Sequence, residues 1–162
     1  LRALRSAWGV DAPRQGRGRR IFLRRRSRHR LLLNEAELVA LATRSGLEVV
    51  DPTGLDFAAQ RALYESAELL VGASGAVMAN YLMMRPGSRI IAFTSHHLRD
   101  FIEPPAIAAA AGCRFEYVTG PAAVSGDDVA DANQWIHADF RVDAASFRAA
   151  LADAVQALDA AV

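Results

Sequence analysis

The segment "ELLVGASGAVMAN", residues 68–80, runs from a short apolar stretch into Gly72-Ala73-Ser74-Gly75 and then returns at once to a helix-forming pattern. A strand buried on both faces needs no such break. A strand that presents its carboxyl end to a ligand does, because ligands of open α/β sheets sit beyond the carboxyl ends of the strands. Gly72 and Gly75 let backbone approach a ligand closely and tolerate positive φ. A helix is expected from about Gly75 to Met84, and its first amides would form an anion site favoured by the dipole. Ser74 can add a hydroxyl donor. Taken alone, a Gly-x-x-Gly pair more often marks a tight packing turn.

The flanking sequence supplies the rest of an alternating pattern. "RIFLRR" (20–25) reads as a strand, followed by a helix that Asn34 would cap, with Glu35 and Glu37 in its first turn, where the dipole favours acids. Leu38, Leu41 and Ala42 form its apolar stripe and Gly46 its stop. "LEVVD" (47–51), "ELLVG" (68–72), "RIIAFT" (89–94) and "RFEYVT" (114–119) read as further strands. Between them lie a helix capped by Asp56, the segment from Gly75, and a short helix after Pro104-Pro105. Short continuous apolar runs alternating with helical segments predict a doubly wound, mostly parallel, Rossmann-like α/β sheet covered on both faces. The tail holds a polar loop over 120–134, extended character over "WIHADFRVD", and a helix capped by Asp143 with Phe147, Leu151, Val155 and Leu158 at helical spacing. Its simplest role is to pack on the sheet. The predicted organisation is a helix end and linker over 1–18, a nucleotide-binding domain over 19–120, and a loop, extended segment and packing helix over 121–162.

Composition bounds the function. At 162 residues, with 52% hydrophobic and 23% charged side chains, the chain has the profile of one globular domain. No apolar run approaches the 18 residues of a membrane span. The first residues, "LRALRSAWGV", carry neither an initiator Met nor a signal-peptide order and read as the cut end of something longer. The single Cys113 excludes an internal disulfide and a cysteine-built metal site, and points to a reducing compartment.

A net charge of +1 hides an asymmetry. Every basic side chain is Arg, and eleven of the 19 lie in residues 1–30, where Asp11 is the only acid. Such a block can bind nucleic acid or an anionic surface. It lacks the interleaved aromatics of a single-strand binder, so an Arg-rich nucleic-acid module is the weaker reading. A local polyphosphate site is another, since guanidinium forks match phosphate well. Arg24, Arg25 and Arg26 close the first strand and Arg28 and Arg30 follow, so guanidiniums and a helix N-terminus would meet at adjacent strand ends.

Three named motifs bear on the glycine turn. The dinucleotide fingerprint fails because Ser74 and Val77 occupy its later glycine positions, and a P-loop fails for want of Lys. The nucleophile elbow Gly-x-Ser-x-Gly is matched at Gly72 and Ser74 but ends in Ala76. A serine acyl hydrolase using Ser74, with His96, His97 or His137 as base, is therefore the alternative from residues alone. No oxyanion-hole segment is visible upstream. Glu65, Glu68, Asp127, Asp128 and Asp131 could be read as metal ligands, but no His spacing supports a site. Trp8, Trp135 and the three Met residues read as packing.

In order, "RIFLRRRSRHRLLLNEAEL" and "GLEVVDPTGLDFAAQRALYESAELLVGASGAVMANYLMMRPGSRII" resemble the family-61 glycosyltransferases, including capsular-polysaccharide enzymes of bacteria. The likeness runs over residues 19–94 and weakens through the tail. Its pieces are an Arg after the first strand, Asn34-Glu35 opening a helix, Gln60 in the next, Ala67 before the third strand, and the Gly-x-x-Gly-Ala…Asn turn. It implies one half of a GT-B architecture, the C-terminal donor-binding half, with the N-terminal half of the same enzyme as partner. It further implies inverting, metal-independent transfer from a nucleotide-sugar, which is a substrate and not a cofactor, to a glycan or glycolipid acceptor. A cytoplasmic place, peripheral at the inner membrane, goes with that. By carry-over, Arg25 and Arg30 would pair with the diphosphate. Asn34 and Glu35 would order that loop or touch the donor. Gly72, Ser74, Gly75 and Ala76 would wrap phosphates or sugar, and Asn80 would brace the turn. The chain departs from the pattern where many relatives have His in place of Ser74 and an acid in place of Ala92. The resemblance assigns no catalytic base to this chain.

Overall fold

The computed structural model describes residues 2–13, 15–76, 78–123 and 136–161. Its strands are β1 (Arg19–Leu23), β2 (Glu48–Val50), β3 (Ala67–Ala73), β4 (Arg89–Ser95) and β5 (Arg114–Gly120). They form one sheet in the order β2-β1-β3-β4-β5, and every neighbouring pair is parallel. The helices are α1 (Arg2–Ala7), α2 (Glu35–Arg44), α3 (Phe57–Ser66), α4 (Glu103–Ala110) and α5 (Ala144–Asp159). The architecture is the α/β, Rossmann-like one expected.

Two-residue alternation along the strands explains why both faces need cover. Phe22, Leu69, Val71, Ile91 and Phe93 point into a core closed by Leu38 and Leu41 of α2 and by Phe147 and Leu151 of α5. Ile21, Leu23, Leu70, Ile90 and Ala92 point into a second core, closed by Leu63 and Tyr64 of α3, by Met78 and Tyr81, and by Ala108 of α4. The Met residues are core, as read. Asp56 caps α3 through the Ala59 amide at 2.7 Å, and Asp143 caps α5 through the Ser146 amide at 2.8 Å.

Three local expectations are corrected. The element after β3 is a six-residue 3₁₀ helix, Met78–Met83, instead of an α-helix from Gly75 to Met84. The guanidinium of Arg5, only 2% exposed, takes the Leu82 and Met84 carbonyls and that of Val10, so the turn ends on a side chain instead of winding on. Asn34 stands at the N-cap of α2 but makes no side-chain cap bond. The extended character expected over 135–143 reduces, among the described residues, to bridges of Phe140 with Leu32 and Ala122, while Ile136 and His137 are helical.

The arginine block is largely neutralised within the fold. Arg17 and Arg20 pair with Asp159, Arg19 with Glu48, Arg20 with Glu68, Arg24 with Glu35 and Arg26 with Asp51. The charge asymmetry of the sequence becomes pairing between its first thirty residues and the acids that follow. No helix among the described residues is long and apolar enough to cross a membrane.

Gly72 is fixed by strand packing: a Cβ there would lie 2.7 Å from the Leu23 carbonyl oxygen. Gly72→Ala is expected to destabilise by about 1–3 kcal/mol, the usual range for overpacking, as read by a denaturant midpoint. Burial pushes the Cys113 thiol up to about 11. Because only the thiolate is nucleophilic, native protein at pH 8 should resist alkylation that the unfolded chain undergoes readily, and mass spectrometry of the labelled chain checks this.

Candidate functional site

The strand order reverses at β1 and β3: the chain moves outward from β1 to β2, then returns to the other side of β1. The loops leaving β1 and β3 therefore diverge, and the crevice between them is where open α/β sheets bind ligands. The loop after β1 carries the arginines, and the turn after β3 carries Ser74, Gly75 and Ala76.

Of the three consecutive arginines, Arg25 turns inward. Its Nη1 donates to the Ser74 carbonyl at 2.9 Å and its Nη2 to Ser27 Oγ at 3.0 Å. Arg24 and Arg26 turn out to Glu35 and Asp51, at 2.9 and 2.6 Å. The Arg25 guanidinium lies over Gly75, where a Cβ would come within 3.1 Å of Cζ and Nη1. Neither Gly72 nor Gly75 has positive φ. Both are needed for the Cβ they lack and not for conformational freedom, which corrects that part of the expectation.

Arg30 has φ 54°, the sole non-glycine residue with positive φ among those described. Its Nε is buried without a hydrogen-bond partner. Burial, and after it the nearby Arg30 charge, lowers the pKa of Arg25 from the ordinary arginine value. Among the described residues, neither guanidinium has a carboxylate in ion-pair range. Two partly desolvated cations without a counterion leave room for an anion between them.

Two clefts meet at Arg30. One, of about 240 Å³, is mostly apolar, with Met78, Tyr81, Phe101, Ile107 and Phe115 around Ser74 and Gly75. The other, of about 270 Å³, takes Arg25, Ser27, Leu31, Leu33 and Glu35 as its lining. Ser74, Ala76 and Ala92 all border the apolar cleft, so the two positions at which the resemblance is expected to break fall in the same place. The short 3₁₀ helix supplies no macrodipole for an anion, and the Ser74 amide is already bonded to the Phe93 carbonyl at 2.8 Å. The arginines, not a helix N-terminus, carry the positive charge here.

Several expected residues are bracing groups. The Asn80 amide donates to Gln60 Oε1 at 3.1 Å, whose own amide donates to the Leu55 carbonyl, tying the turn to α3. Asn34 donates to the Val142 carbonyl at 2.8 Å and accepts from the Val142 amide at 3.2 Å. Its Nδ2 also donates to Glu37 Oε2 at 3.0 Å, but its Oδ1, the atom an N-cap would use, is taken by the Val142 amide, the physical reason for the missing cap bond. Glu35 is drawn to Arg24. Segment 136–142, from which the sequence offers only His137 as a candidate base, braces the arginine loop, a contact across more than a hundred residues with no local signal.

The hydrolase reading finds no support. A nucleophile elbow strains its Ser, yet Ser74 has no positive φ. His96 Nδ1 lies 3.0 Å from Thr119 Oγ1, and the His29 and His137 rings face each other at 5.9 Å. Glu65 pairs with Arg85 and Arg61, and Glu68 with Arg20. Asp127, Asp128, Asp131 and Trp135 lie outside the described residues. The paired arginines likewise leave the nucleic-acid reading without support.

Comparison with known families matches the model described as Glycosyltransferase 61 over residues 3–91. Comparison with curated proteins returns no match.

The Gly75 contact is with the end of a side chain, so Gly75→Ala should lower stability less than Gly72→Ala. It should instead displace the Arg25 guanidinium, read as a shift of its Nε–H resonance by NMR.

Proposed function

The chain belongs to glycosyltransferase family 61, and from that premise we propose that it is the donor-binding half of a GT-B enzyme that transfers a sugar from a nucleotide-sugar to a glycan or glycolipid acceptor. The observation that carries this reading is the pair Arg25 and Arg30, cationic, without carboxylate partners among the described residues, set beside the 74–76 turn where the sheet order reverses. A diphosphate between these guanidiniums would receive the charge-assisted bonds that arginine makes best. The planar base then enters the apolar cleft bounded by Phe101, Ile107 and Phe115.

The chemistry follows from where charge develops. In inverting transfer, an acceptor hydroxyl oxygen bonds to the anomeric carbon as the bond to the diphosphate oxygen breaks on the opposite face. The bonding pair leaves with the nucleoside diphosphate, which gains negative charge. Arg25 and Arg30 stabilise that charge more than the ground state, and a preorganised dipole or cation at such a point is the largest common contribution to rate. The acceptor proton passes to a base that no residue of this chain is assigned to supply. Because a donor half does not turn over alone, the N-terminal half of a full enzyme is part of the proposal. So are metal-independent transfer, capsular-polysaccharide synthesis as the pathway, and a cytoplasmic setting at the inner membrane. Ser74 and Ala92 leave the apolar cleft without two ionisable groups many relatives have there, which would shift donor preference.

Calorimetric titration with UDP, GDP, CMP and ADP tests the reading. Binding of one nucleotide, weakened about 10–100-fold in Arg25→Ala, is expected, in line with the 1.5–3 kcal/mol of a charged hydrogen bond. Absence of binding to all four, or affinity unchanged in Arg25→Ala, would overturn it.

A further inference from the structure

Arg30 holds an uncommon backbone conformation, and the groups that hold it come from the far end of the chain. The Arg30 amide donates to the His137 carbonyl at 3.1 Å, and the next amide, of Leu31, donates to Asp139 Oδ1 at 2.7 Å. Phe140 and Leu33 exchange further backbone bonds with this loop, the Phe140 amide to the Leu31 carbonyl at 3.0 Å and the Leu33 amide to the Phe140 carbonyl at 2.9 Å. Asn34 closes the same seam on Val142. On its other side the strap is pinned to the residues after β5, by Ala123 to Asp139 at 2.7 Å and Arg141 to Pro121 at 3.1 Å. It crosses Gly120 so closely that a Cβ there would lie 1.8 Å from the Arg141 carbonyl oxygen. A non-glycine residue at positive φ persists only where its surroundings over-determine it. Here the surroundings are strap residues 137–142, all outside the family-matched 3–91.

We propose that Asp139, with Asn34, is a positioning residue: it fixes the Leu31 amide, holds Arg30 at positive φ, and so aims a guanidinium with a buried, unpartnered Nε at the diphosphate. This rests on the donor-binding reading above. Asp139 is not placed to touch the donor, and among the described residues its carboxylate acts through the Leu31 amide. The strap thereby turns a family-conforming half-domain into a complete anion site.

The test uses inorganic pyrophosphate as probe, titrated calorimetrically into the full chain and into Asp139→Ala, Asp139→Asn, Asn34→Ala, Arg30→Ala and the double variant Arg30→Ala/Asp139→Ala. Asp139→Ala and Asn34→Ala should each weaken binding fivefold or more. Asp139→Asn, whose Oδ1 can still accept from the Leu31 amide, should stay within twofold of the parent. In the Arg30→Ala background, Asp139→Ala should add less than twofold. Hydrogen exchange read at the Leu31 amide gives an independent measure, expected to speed up tenfold or more in Asp139→Ala while the unfolding midpoint stays near that of the parent. Equal loss in Asp139→Asn and Asp139→Ala, a full additive effect in the Arg30→Ala background, or unchanged Leu31 exchange would each overturn the proposal. Should the parent chain fail to bind pyrophosphate, the donor reading falls, while Leu31 exchange and the Arg30 amide coupling constant still decide whether Asp139 sets the backbone. Asn34→Ala serves where Asp139→Ala does not fold.

Discussion

A guanidinium laid across a glycine, hydrogen-bonded to a carbonyl and not to a carboxylate, is the contact on which the crevice depends. Arg25 reaches the Ser74 carbonyl only because residue 75 has no Cβ to hold it off. A carbonyl orients the cation without neutralising it, whereas a carboxylate would have done both. The rest of the arginine block shows the alternative. Arg24 and Arg26, one residue either side, face outward and find Glu35 and Asp51. Strand alternation carried past the end of β1 sorts the three arginines into two that stabilise the surface and one that keeps its charge for the crevice.

That single inward turn matters because of the strand order. Were β1 and β3 not neighbours, the arginine loop and the 74–76 turn would open over different parts of the sheet. Their parallel pairing, which brings Leu23 opposite Gly72, needs the close approach that only glycine at 72 allows. Gly72 and Gly75 are therefore a pair with different tasks. The first lets two strands meet, and the second lets a side chain from one loop cross the other. Arg30 completes the crevice from a third direction, held there by a segment that follows β5.

Much of this was legible in the sequence, and the boundary is physical. The five strands, the caps at Asp56 and Asp143 and the apolar stripes follow from periodicity and local chemistry, which act within a few residues. The inward turn of Arg24 or Arg25 could be posed but not resolved, because the register at a strand end decides it. Local propensity favours an α-helix from Gly75, but the segment forms a 3₁₀ helix whose end is held by the buried Arg5 guanidinium on the Leu82 and Met84 carbonyls. Asn34 has the local chemistry of a cap. Val142, more than a hundred residues on, takes its amide instead. In these two cases a long-range polar contact overrides a local preference, whereas at Gly72 and Gly75 close approach, not positive φ, is what requires glycine.

The two clefts differ in a way that bears on what the crevice can discriminate. On the basic side, Glu35 is already held by Arg24, so an entering anion meets Arg25 and Arg30 with little opposing charge. On the apolar side, positions 74 and 92 themselves contribute a hydroxyl and a methyl but no ionisable group to a lining that is mostly hydrocarbon and aromatic. Charge therefore fixes where a ligand's anionic part lies, and shape fixes what else fits, because apolar walls distinguish ligands by size and planarity. An ionisable side chain at either position would share the cleft with Arg30. An acid at 92 would compete with the ligand for that guanidinium, and a protonated His at 74 would add to the positive charge beside it. The present pair of residues does neither, leaving both arginines available to one bound anion.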